Sequence, residues 1–147
     1  MSGQTTITTS SERETEQVGR RLATQLKSGS TVLLYGGLGA GKTVLARGIA
    51  RGLGVDEVVS SPTFVIMNRY ETTEGTPLFH FDLYRNPSAG EFGGLGFEEI
   101  LSGEGIAVIE WAENLPPGLV ENPVTVRLRA SGDSGRTLEI SGALLTE

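Results

Sequence analysis

The segment Gly36-Gly37-Leu38-Gly39-Ala40-Gly41-Lys42-Thr43 satisfies the pattern GxxxxGK[ST] in full. No other feature of the chain restricts its fold as tightly, because this loop works only between the end of a strand and the start of a helix. Both flanks are present. Thr31 to Tyr35 is a continuous apolar run rich in strand formers, as in a strand buried on both faces. Val44, Leu45, Ile49 and Leu53 then repeat at helical spacing and close at Gly54. Strand, glycine-rich turn and helix predict an α/β fold: a single-domain P-loop NTPase with a central β-sheet flanked by helices.

Each residue type in the loop has a physical reason. The glycines let the chain turn so that the amides of Gly36, Gly37, Leu38, Gly39, Ala40, Gly41, Lys42, Thr43 and Val44 can converge on phosphate oxygens. The following helix adds positive potential at its N-terminus. Lys42 supplies a mobile charge for the β- and γ-phosphates, and the Thr43 hydroxyl is a ligand for Mg²⁺. The chain has only two lysines, Lys27 and Lys42, and neither sits in an NKxD-type guanine-reading motif, which favours ATP over GTP. No Rossmann GxGxxG surrounds the loop, so a dinucleotide is disfavoured.

Upstream, Thr5 to Thr9 reads as a short edge strand. Ser11 precedes Glu14 by three positions, a capping box, and Val18, Leu22 and Leu26 give a helix from about Glu12 to Lys27, ended by Gly29. Downstream, Phe64 to Tyr70 and Leu78 to Tyr84 form a predicted hairpin around Glu74-Gly75-Thr76-Pro77. Residues 86–105 read as loop with a short helix at Phe97 to Leu101, followed by a buried strand at Ile106 to Ile109. Val124, Val126 and Leu128 alternate as a strand, and a turn at Ser131 to Gly135 leads to its partner, Leu138 to Ser141. There is no repeat or interdomain linker, so 1–147 is expected to be one P-loop ATPase domain.

Composition removes other classes. The absence of cysteine excludes disulfides, thiolate catalysis and cysteine-bound metal. The longest apolar run, Val32 to Tyr35, is far below the roughly 20 residues of a membrane span, and no signal-peptide core is visible; a reducing cytosol is expected. The net charge of −6 leaves no basic stripe for gripping nucleic acid directly. The 21 glycines suggest many tight turns rather than long packed elements.

A P-loop needs a further acid on the magnesium side, usually at the end of a neighbouring buried strand. Glu110, at the end of Ile106 to Ile109, meets that requirement; Trp111, the sole tryptophan, follows it as either a core anchor or a contact at the nucleotide or a partner surface. In Phe79 to Arg85 strict alternation puts His80, Asp82 and Tyr84 on one strand face. Asp82 is the member expected to act, as an outer-shell Mg²⁺ ligand or in orienting the attacking water. Taken alone, the histidine reads as a half-exposed strand residue. Thr63, in Ser60 to Phe64, lies where many P-loop proteins carry a γ-phosphate-sensing threonine.

Together GxLGAGKT at Gly36 to Thr43, SPTF at Ser61 to Phe64, HxDxYR at His80 to Arg85 and IEW at Ile109 to Trp111 resemble, in order and over nearly the whole chain, the bacterial ATPase subunit of tRNA threonylcarbamoyladenosine biosynthesis, the TsaE (formerly YjeE) family. The resemblance implies ATP and Mg²⁺ at the loop, with Lys42 on phosphate, Thr43 and Glu110 on the metal, and Thr63 and Asp82 in switch-like segments. It also implies two protein partners, TsaB and TsaD, with tRNA met only through them. The resemblance further implies that TsaD performs the transfer to tRNA and that ATP hydrolysis resets the complex. One departure is Gly37, where the family usually has an acid. A small-molecule kinase and a non-hydrolysing assembly switch stay open as alternatives, although 86–105 contains no arginine or lysine for a kinase lid. Arg47, Arg51 and Arg85 are the candidate catalytic arginines.

Overall fold

The computed structural model describes residues 4–57, 59, 67–85, 96–116, 118–143 and 145. Within them seven strands form one sheet: β1 (Gln4–Thr9), β2 (Thr31–Tyr35), β3 (Met67–Tyr70), β4 (Leu78–Asp82), β5 (Ile106–Glu110), β6 (Val124–Ser131) and β7 (Gly135–Ser141). Their order is β1-β7-β6-β2-β5-β4-β3. The central four, β6, β2, β5 and β4, run parallel; β7, β1 and β3 pair antiparallel at the flanks.

The expected α/β architecture is the observed one, and alternation along the strands divides its core. Val32, Leu34 and Val108 point to the face covered by helices α1 (Glu12–Ala23) and α2 (Lys42–Gly52), where they meet Val18, Leu22, Leu45 and Ile49. Leu33, Ile109 and Phe81 point to the other face, onto Phe97 of helix α3 (Phe97–Ser102) and Ala112. Each such side chain, fully removed from water, contributes about 1.5–3 kcal/mol.

Local chemistry sets the element ends. Ser11 is the N-cap of α1, its Oγ accepting the Glu14 amide at 3.1 Å. The reciprocal arm of the capping box is shifted by one residue: the Glu14 carboxylate accepts from the Ser10 amide at 2.8 Å and the Ser10 hydroxyl at 2.9 Å. These bonds hold the Glu14 carboxyl below its ordinary pKa. The helix stops at Ala23, short of the expected Lys27, because the Thr24 hydroxyl takes the Arg21 carbonyl at 2.7 Å and the Thr24, Gln25 and Leu26 amides bond three residues back. Gly29 instead turns the chain beyond the helix, with φ +94° and its amide on Gly105 O at 2.7 Å. Strand β7 begins at Gly135 rather than Leu138, because β6 pairs with it up to the turn while β1 pairs with its other edge. Of the expected strand Phe64 to Tyr70, only Met67–Tyr70 falls among the described residues.

The glycine count has a second use besides turns. Gly19 lies on α1 and Gly48 and Gly52 on α2, all at the contact between the two helices. A Cβ at Gly48 would stand 2.1 Å from Glu16 O, and one at Gly19 would stand 2.5 Å from Leu45 O. The backbones touch, so neither position has room for a methyl group. Gly48→Ala is expected to destabilise the fold by about 2–3 kcal/mol despite alanine's better helix propensity, read as a lower urea midpoint.

Candidate functional site

Parallel strands deliver their C-terminal ends to one edge of the sheet, the usual position of a ligand in such folds. The glycine-rich loop leaves β2 at that edge. Gly36, Gly39 and Gly41 all take positive φ, and a Cβ at Gly36 would stand 2.6 Å from Leu128 O of β6. The loop closes against the sheet and then opens α2 at Lys42.

Lys42 is buried although it carries an ammonium group. Its Nζ donates to the carbonyls of Gly36 and Gly37, the latter at 2.8 Å, and lies 3.9 Å from the centroid of the Trp111 ring. Burial lowers its pKa; the carboxylates of Glu113, Glu110 and Asp82 pull the other way. Thr43 Oγ1 donates to Glu110 Oε1 at 2.9 Å, and the other Glu110 oxygen lies 2.6 Å from His80 Nε2. Glu110 is 2 % exposed, so bonds such as these take the place of water around its carboxylate.

The register explains why the acids meet. Asp82 is the cross-strand neighbour of Glu110, and Glu110 that of Leu34, one residue before β2 ends. Asp82 Oδ1 accepts the Tyr84 amide at 3.0 Å. Its pKa is raised, first by burial and then by the Glu110 charge, with the Tyr84 amide, His80 and Lys42 opposing. Trp111 holds φ +59°, a left-handed turn that swings its ring over Lys42 and to 5.1 Å from the ring of exposed Tyr84.

Asp82, Tyr84, Glu110 and Trp111 line an open cavity of about 450 Å³ together with Leu38–Val44, Glu12, Thr15, Ser134 and Arg136. Its volume is that of a small-molecule site. Among the described residues no three or more acids or histidines group as metal ligands. Thr43 Oγ1 and Glu110 Oε1 nevertheless converge as two oxygens at the foot of the cavity, a donor set suited to a hard cation that draws its remaining ligands from a phosphorylated substrate and water.

Of the residues picked out in the sequence, Lys42, Thr43, Asp82, Glu110 and Trp111 come together here. Thr63 lies outside the described residues. His80 is not a half-exposed strand residue: it is 1 % exposed and bonded to Glu110, because its strand is covered on both faces. Arg47 is held at Glu12 and Glu16, and Arg51 caps the carbonyls of Val55 and Glu57, so neither points into the cavity. Two residues went unread. Glu113, in the 3-10 turn Ala112–Asn114, accepts the Gly36 amide at 2.9 Å and so fastens the start of the loop. Arg136, on β7, reaches the cavity from a hairpin whose sequence carries strand and turn signals but no ligand-binding motif.

Comparison with known proteins follows the same outline. The family model described as "Threonylcarbamoyl adenosine biosynthesis protein TsaE" matches residues 9–138. A tRNA threonylcarbamoyladenosine biosynthesis protein TsaE of Treponema pallidum is 37% identical over 131 residues, covering 89% of this chain and 96% of the relative. One from Streptomyces coelicolor is 43% identical over 121 residues, covering 80% and 81%. The crystal structure of Bacillus subtilis YdiB superposes with a TM-score of 0.79 at 29% identity, covering 96% of this chain and 86% of that one.

The raised pKa of Asp82 has a consequence for stability. Ionising it costs the folded state more than the unfolded chain, so its destabilising contribution is absent at low pH and grows as pH rises through the ordinary carboxylate range to the raised value. Asp82→Asn, which keeps the acceptor for the Tyr84 amide, is expected to raise the thermal midpoint near pH 7. That gain disappears below about pH 3, as a pair of melting series at the two pH values will show.

Proposed function

The chain belongs to the TsaE family, and from that premise we propose that it is a cytoplasmic, Mg²⁺-dependent ATPase serving the tRNA threonylcarbamoyladenosine machinery. Its hydrolysis supports turnover of a TsaB–TsaD transferase, and it meets tRNA only through those partners. The observation that carries this reading is the convergence of Lys42 Nζ, the Thr43–Glu110 pair and Asp82 at the mouth of one glycine-rich loop.

Lys42 donates to its own loop's carbonyls, and exchanging those neutral acceptors for phosphate oxygens strengthens each bond through charge. The buried ammonium has little water to shed, so little of that gain is lost on desolvation. Thr43 and Glu110 would hold the metal, and His80 keeps the Glu110 carboxylate turned toward Thr43. Mg²⁺ held there would neutralise part of the charge on the phosphates. Asp82, beside Glu110 and half-buried, orients the attacking water. Gly37 is exposed with open space around its Cα, so the family's usual acid has sterically free access there without being needed to shape the loop.

Hydrolysis by the isolated chain is slow in this reading, because two of the three candidate arginines, Arg47 and Arg51, are committed to other partners and do not reach the γ-phosphate's developing charge. The acidic surface suits docking on protein rather than on tRNA. ATP turnover by the pure protein, with and without TsaB–TsaD, tests the reading. Marked stimulation is expected, with Lys42→Ala removing ATP binding and Glu110→Ala lowering hydrolysis by about 100-fold. If Glu110→Ala and Asp82→Ala both hydrolyse like the parent while partner binding stays ATP-dependent, the chain is an assembly switch and not a catalyst.

A further inference from the structure

The cavity has two arms, and the mechanism above uses one. From the loop at the centre of the sheet, β5 and β4 carry Glu110 and Asp82 to one side. On the other side lie β6, β7 and β1, and from them the cavity receives Ser134 and Arg136 of the β6–β7 hairpin, with Glu12 and Thr15 of α1 beside them. Thr9, at the end of β1, is the register partner of Arg136, so the start of α1 and the hairpin form one wall.

Arg136 is unusual on that wall. Its side chain runs across the loop at Gly41, so that a Cβ on Gly41 would stand 3.4 Å from Arg136 Nε and 3.6 Å from its Cδ and Cγ. Its Nη1 donates to Gly135 O at 2.6 Å, while its Nε is buried with no acceptor. No ion pair to Arg136 occurs among the described residues; Glu12, an acid on the same wall, pairs with Arg47. A guanidinium with a desolvated, unsatisfied N–H, beside the first residues of α2, is built to receive an anion from the cavity.

Resting on the proposed ATP site, we propose that Arg136 binds the nucleotide at its α-phosphate, as a second cation opposite the metal side. With the γ-phosphate directed to Glu110 and Asp82, the nucleoside end must leave over the first turn of α2 toward β7. The α-phosphate then passes between Val44 and Arg136, both of which line the cavity. Arg136 is therefore a binding residue that does not distinguish ATP from ADP, since both keep the α-phosphate.

Arg136→Met, which retains the apolar stem, and Arg136→Lys, which retains the charge, test this in equilibrium binding of ATP and ADP to the full chain. Circular dichroism establishes that both variants fold. Arg136→Met is expected to weaken ATP and ADP by the same factor, about tenfold or more, with Arg136→Lys recovering part of the loss. Unchanged affinity for both nucleotides overturns the proposal. So does a loss confined to ATP or to its hydrolysis, which would place the guanidinium at the γ-phosphate. A parent protein that binds neither nucleotide overturns the ATP site itself, and that result is read before any variant is made.

Discussion

A carboxylate almost wholly withdrawn from water sits at the centre of this molecule's chemistry, and much of the surrounding structure can be understood as what makes Glu110 tolerable there. A buried carboxylate is costly unless both oxygens are occupied. One is held by the Thr43 hydroxyl and the other faces His80, itself nearly excluded from solvent. Those two bonds tie three segments that are far apart in sequence: the head of α2, the middle of β4 and the end of β5. The same charge acts on Asp82 and Lys42, raising the pKa of the first and opposing the fall in the second. The arrangement costs the fold something and concentrates charge where a phosphorylated ligand can use it, the usual trade at a functional site.

The sheet gives that charge a direction. Acids enter from β5 and β4, while the hairpin joining β6 and β7 contributes an arginine, so the loop on β2 stands between opposite signs. A polyphosphate chain lying across the loop would be graded along its length, with metal and water handled at one end and a fixed cation at the other. Glu113 completes the frame by holding the Gly36 amide at the start of the loop, while Leu38 to Val44 line the cavity.

How much of this is legible in the sequence depends on the range of the interaction. The loop, its strand and its helix are local patterns, and their residues declare themselves through spacing alone. Glu110 and Asp82 could be selected because each ends a strand-like run, although only the register makes them neighbours. His80 could not be judged, because alternation separates the two faces of a strand but does not reveal that both are covered. Arg136 lies 95 residues beyond Gly41 in the chain and meets it only through the pairing of β7 with β6 and β1. Helical spacing overstates the length of α1 for a smaller reason: a threonine hydroxyl competes for a helix carbonyl, and hydrophobic periodicity is blind to that.

The bare faces of α1 and α2 bear on more than packing. The first turn of α1 contributes Glu12 and Thr15 to the cavity, and α2 contributes the loop's exit from Lys42 to Val44. The spacing between the two helices is set where Gly19 and Gly48 bring backbone against backbone. The gap into which a ligand would slide is thus gauged like the jaws of a caliper, by side chains that are missing more than a turn away. A methyl group added at that hinge would be felt as a change in fit at the opening, with every residue that lines the cavity left in place.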